Sequence, residues 1–150
     1  MTERKIAILG IGNRLRSDDG AGSILAENLL LRGLTAFDSA VVPENFTGAI
    51  RKAAPDTLII VDACSMGLNP VDFRKIQLQR IEHNDTINSH SPGLIELTKY
   101  INEFVPEILF IGIEPSSLEF GEELSPEVQD GIKILEEIIF SGTYYSIDSA

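Results

Sequence analysis

Apolar and polar positions fall along the chain in two kinds of block. The first kind is the short unbroken apolar run. Residues 5–9 contain Ile6, Ala7, Ile8 and Leu9, residues 57–61 contain Leu58, Ile59, Ile60 and Val61, and residues 108–113 carry Ile108, Leu109, Phe110, Ile111 and Ile113. A strand that is apolar at every position is covered on both faces, as in a mostly parallel sheet between helices. Residues 38–42 and 73–78 read as weaker strands, and the second alternates as an edge strand does. The second kind of block has helical spacing. One helix starts near Gly20 to Gly22 and stops at Gly33, a glycine suited to the position just past a helix end. A short helix covers residues 47–53. Ser91-Pro92 has the form of an N-cap followed by proline in the first turn, with Leu94, Leu97, Ile101 and Phe104 on one face after it. Ser125-Pro126 repeats that start ahead of Val128, Ile132, Leu135 and Ile139. These stripes face a core and imply packing alone. Strands alternating with helices give an α/β sandwich.

The 150 residues suit one domain, spanning 1–150, with 141–150 as an irregular tail. No apolar run nears the roughly 18 residues that a bilayer span needs. The opening residues read as a first strand rather than a signal peptide. A single cysteine excludes an internal disulfide framework and an all-cysteine zinc site, and fits a reducing, cytoplasmic location. The net charge of −11 is uneven: residues 1–75 hold nine basic and nine acidic side chains, residues 76–150 three basic and fourteen acidic. Nucleic acid is thereby excluded as a main partner, because phosphates need a basic face. The acid between Glu114 and Glu137 reads as a solvated face or as a docking surface for a basic segment.

Chemistry has few places to sit. Gly10-Ile11-Gly12 follows the first strand, but a dinucleotide fingerprint needs a third small residue where Leu15 stands, and the acids after it would repel a pyrophosphate. Asp18 and Asp19 enter a helix. The macrodipole accounts for one of them; two adjacent carboxylates repel, so the second calls for a cation or a strong hydrogen-bond partner. Asp62 ends a central strand, at the end of the sheet where open parallel folds place ligands; a capped turn into residues 63–67 is the plainer alternative. His90 stands at a helix entrance, where a positive charge is disfavoured, so it prefers the neutral form that also binds metals; simple packing would serve as well. His83 lies among polar residues and reads as solvated. Asp19, Asp62 and His90 thus form a candidate set for nickel, zinc or another divalent ion. Cys64 reads as inert packing rather than as a nucleophile.

Taken in order, the blocks resemble those of the hydrogenase maturation proteases, over roughly residues 5–139. Residues 10–22, GIGNRLRSDDGAG, are similar to the family's opening motif, residues 59–70, IIVDACSMGLNP, to its second block, and the segment around His90 to its third. FIGIEP at 110–115 fits the strand that follows. PEN at 43–45 and MGLNP at 66–70 resemble the branch that processes formate-hydrogenlyase-type hydrogenase. The resemblance implies a three-layer fold with a mixed, mostly parallel, five-stranded sheet and helices on both faces. It implies an endopeptidase that cuts a short C-terminal extension from the large-subunit precursor of a nickel–iron hydrogenase after nickel insertion. The ion met by Asp19, Asp62 and His90 would then be the substrate's nickel, with no organic cofactor, and a monomer is the default. A metal-binding accessory protein without peptidase activity would use the same three ligands.

Overall fold

The computed structural model describes residues 4–83, 87–89, 91 and 93–150. The expected α/β sandwich is present. Strands β1 (Ile6–Gly10), β2 (Ala36–Asp38), β3 (Thr57–Ser65), β4 (Phe73–Ile76) and β6 (Glu107–Ile113) line up in the order β2-β1-β3-β6-β4. A two-residue strand, β5 (Asn88–Ser89), pairs with the end of β3 off this path and makes the sheet six-stranded rather than five. The pairs β2–β1, β1–β3 and β3–β6 are parallel; β4 lies at the edge, as its alternation predicts, and runs antiparallel.

Period-2 alternation of the strands divides the core in two. Ile8, Ile59, Val61, Ile111 and Ile113 pack under α1 (Ala21–Leu31) and α5 (Pro126–Ser141). Ala7, Leu9, Leu58, Ile60, Cys64 and Phe110 pack under α2 (Thr47–Ala53) and α4 (Leu94–Ile101). The α5 stripe Val128, Ile132, Leu135 and Ile139 is buried as its spacing requires. Gly33, with φ +93°, follows α1 in the position expected of it.

Four local expectations change. β2 occupies residues 36–38 rather than 38–42, because Asp38 turns away to accept from Ser23 and Arg14. A short helix, α3 (Leu78–His83), follows β4, so His83 closes a helix rather than lying in a loop. α4 is capped by Gly93 at φ 73°, not by Ser91, whose hydroxyl is used elsewhere. Residues 141–150 are not irregular: a 3-10 turn at Tyr144–Ser146 buries Tyr144 and Ile147, and the last residues pair with Lys75 of β4.

Candidate active site

The parallel strands β1 and β3 end their pairing at Gly10 and Val61, and the Ile11 amide donates to the Val61 carbonyl at 2.9 Å. The chain then loops over this end of the sheet and enters α1 through a 3-10 turn, Ser17–Gly20. Glycines make the close fit possible. A Cβ on Gly22 would stand 2.3 Å from the Val61 carbonyl oxygen and 2.5 Å from that of Ile11; one on Gly12 would stand 2.2 Å from the Asp19 carbonyl oxygen. The glycine-rich block seats α1 and the acidic turn against the end of β1 and Val61 within β3.

Within that turn the two aspartates separate. Asp18 is 0% exposed and turns away from the strands. Its Oδ1 accepts from the Ser125 amide at 2.7 Å, and its Oδ2 from the amides of Ser116 and Ser117 at 2.8 and 2.9 Å and the Ser125 hydroxyl at 2.8 Å. Four donors satisfy a buried carboxylate. Ser125 stands at the N-cap of α5, as expected, yet its hydroxyl donates to Asp18 and makes no bond to the helix. Asp19 is half-buried, with its Oδ2 accepting from the Asn13 amide at 3.2 Å.

Asp62 follows Val61 but does not end its strand. β3 continues to Ser65, beside β6 as far as Ala63 and then against β5. The capped-turn reading of Asp62 therefore fails. By alternation its side chain shares the face of Leu58, Ile60 and Cys64, toward the segment that leads into α4. There the Ser91 hydroxyl donates to its Oδ2 at 2.6 Å and the Ser89 hydroxyl at 3.2 Å. Only 1% of Asp62 is exposed. Burial pushes its carboxyl up to about 7, the nearby charge of Asp19 pushes the same way, and the Ser91, Ser89 and Ala63 hydrogen bonds pull it down. The charge of Asp19 thus acts on Asp62, 43 positions away in the chain.

His90 lies outside the described residues. Its chain neighbours Ser89 and Ser91 are the two whose hydroxyls reach Asp62. Their role carries no signal in the sequence beyond the hydroxyls flanking position 90. Cys64 is fully buried in the core, and burial, with the charges of Asp62 and Glu114, pushes its thiol up to about 12. It is inert packing, as expected, since a thiolate nucleophile needs the opposite shift. Glu114, at the end of β6, accepts from the amides of Met66 and Leu68 at 2.8 and 2.9 Å and fixes the turn after β3. A groove of about 670 Å³ beside the first residues of β6 is lined by Ile76, Leu78 and Ile108 and includes neither Asp19 nor Asp62.

Residues 22–142 match the family described as HycI, hydrogenase maturation protease. The hydrogenase 3 maturation protease of Escherichia coli K12 is 33% identical over 129 residues, covering 84% of this chain and 83% of its own. The solution structure of an endopeptidase HycI from Escherichia coli superposes with a TM-score of 0.82 at 29% identity, covering 97% of this chain and 96% of its own. The NiFe hydrogenase maturation protease HycI from Thermococcus kodakarensis does so at 0.81 and 28%, covering 92% and 91%. The fold, the glycine-seated acidic turn and these matches agree: the chain belongs to the hydrogenase maturation protease family and is a peptide hydrolase.

Proposed function

We propose that the protein is a cytoplasmic, monomeric endopeptidase that removes a short C-terminal extension from the nickel-loaded large-subunit precursor of a nickel–iron hydrogenase, and that Asp19, Asp62 and His90 meet the nickel the substrate carries. The observation that supports this reading is the buried carboxyl of Asp62 near the end of the β3 pairing with β6, hydrogen-bonded by Ser89 and Ser91 beside the charge of Asp19. A buried carboxylate is costly unless it is paired, hydrogen-bonded or neutralised, and groups held at such a cost cluster at functional sites. Two carboxylates and an imidazole leave open positions on a divalent ion for the substrate's own ligands. Nickel near the scissile bond would polarise the carbonyl or acidify an attacking water. Either Asp19 or Asp62 could take that water's proton where it is not fully engaged with the metal, and burial raises Asp62 toward neutrality. In peptide hydrolysis the water oxygen bonds to the carbonyl carbon, the C–N bond breaks, and the proton taken from water goes to the departing amine.

The test is the mass of the large-subunit precursor before and after incubation with the protein, with and without nickel. Loss of a C-terminal fragment from the nickel-loaded form alone is expected, and Asp62→Ala and His90→Ala should abolish it in folded protein. An unchanged precursor mass would favour a metal-binding accessory protein. Wild-type rates in His90→Ala would remove His90 from the mechanism.

A further inference from the structure

The connection between β6 and α5 is tied down along its length to the turn that carries Asp19. Besides the four hydrogen bonds into Asp18, the Ser17 amide donates to the Gly121 carbonyl at 2.8 Å and the Gly121 amide to the Leu15 carbonyl at 2.8 Å. The Ser17 hydroxyl donates to the Glu119 carbonyl at 2.8 Å, and Arg16 Nε to the Leu118 carbonyl at 3.2 Å. At the tip of this anchored loop Phe120 is 86% exposed. Leu15, whose carbonyl is bonded to the residue next to Phe120, is 49% exposed. Glu119, Glu122 and Glu123 stand exposed around them. A phenylalanine in solvent does nothing for the core, and a loop held this firmly pays little ordering entropy on binding.

We propose that this loop is a docking surface for the large-subunit precursor, with Phe120 packing beside Leu15 against an apolar side chain on a segment that carries Lys or Arg. The identity of the partner rests on the function proposed above. The occupant's chemistry rests on the surface: an aromatic anchor takes an apolar group, and three exposed acids against the single cation of Arg16 leave the patch net acidic, which favours a basic segment over an acidic one. Asp18 acts through the loop as a positioning residue, because its carboxylate joins residues 116–125 to the turn that carries Asp19. A precursor seated there lies next to Asp19.

The experiment measures the Kd of the nickel-loaded precursor for the protein, and KM and kcat for its cleavage. The variants are Phe120→Ala, Phe120→Tyr and the pair Glu122→Gln with Glu123→Gln. Phe120→Ala should raise Kd and KM by about tenfold, leave kcat within about twofold, and leave Tm unchanged. Phe120→Tyr should stay near wild type, and the double Gln variant should weaken binding and flatten its salt dependence. Equal Kd and KM for wild type and Phe120→Ala would overturn the docking surface, as would failure of the wild type to bind the precursor. Binding that depends on Phe120 without any cleavage would keep the surface and refute the proposed activity; cleavage indifferent to Phe120 would do the reverse.

Discussion

Three aspartates show how little a residue's identity says without its surroundings. Asp18 is buried and satisfied by four donors, so its charge is a structural tie. Asp19, its neighbour, is half-buried and accepts one hydrogen bond among the described residues, from the Asn13 amide. Asp62 is sealed with hydroxyls that only partly offset its desolvation. The sign of its effect on stability follows. Its carboxyl titrates near 3.8 when unfolded and is pushed up to about 7 when folded, so folding takes up a proton between those values. The stability associated with the neutral acid is complete below about 3.8 and is lost as pH rises through about 7. Asparagine cannot ionise, and the Ser89 and Ser91 hydroxyls can rotate to accept from its amide. Asp62→Asn should therefore melt above wild type at pH 8, by roughly 2–4 kcal/mol, and lose that advantage toward pH 4. Thermal melts of the precursor-free protein at the two pH values check this. An equal difference at both would mean that the carboxyl is not held neutral. Stability gained with cleavage lost is what a site acid should show.

At the scale of elements, the long helices and apolar strands were legible because each carries its own period. What was not legible depended on distant partners. β3 runs past Val61 through Asp62, Ala63, Cys64 and Ser65, whose strand form comes from β6 and β5 rather than from local preference. Ser91-Pro92 has the look of a helix cap, but Asp62, 29 residues away, draws off the Ser91 hydroxyl. The sequence asks for a strong hydrogen-bond partner for one of Asp18 and Asp19 without saying which, because the partners of Asp18 lie about 100 residues downstream and leave no local trace. The glycines were visible but not their purpose, which is the approach of α1 to the end of β1 and to Val61 of β3. Gly22→Ala would put a methyl 2.3 and 2.5 Å from two carbonyl oxygens that belong to backbone and cannot step aside. The start of α1 would have to lift, and with it the turn holding Asp19. A loss of roughly 1–3 kcal/mol is expected from such overpacking, together with a fall in precursor cleavage at temperatures where the variant is folded. Urea unfolding and the cleavage assay measure the two effects. Wild-type stability would mean that α1 does not press on the strands as described.

Across the whole molecule, the two ends of the sheet have different work. Toward the carboxyl ends of the parallel strands, where open α/β sheets place ligands, the charge of Asp19 acts on the buried Asp62 carboxyl. The edge strand, β4, is closed by the chain's last residues. The Lys75 amide donates to the Asp148 carbonyl and the Ala150 amide to the Lys75 carbonyl, both at 2.9 Å, so the edge is not left open to another strand. Tyr144 and Ile147 are buried against the α1 and α5 core, and the Tyr145 hydroxyl donates to Glu107. Isolated apolar residues after a helix end give no periodic signal, which is why residues 141–150 read as irregular in the sequence. Removal of residues 143–150 strips two large buried side chains and the tail's two hydrogen bonds with Lys75, while leaving β4 paired to β6 and the hydrogen bonds of Asp19 and Asp62 intact. The truncated protein should lose roughly 2–4 kcal/mol, seen as a fall in Tm of about 5–15 °C. Below its lowered melting point it should still cleave the precursor at close to the wild-type rate, because neither Asp19 nor Asp62 touches the tail. An unchanged Tm would mean that the tail does not seal the edge in solution. Lost cleavage in the folded variant would mean that the two ends of the sheet are coupled.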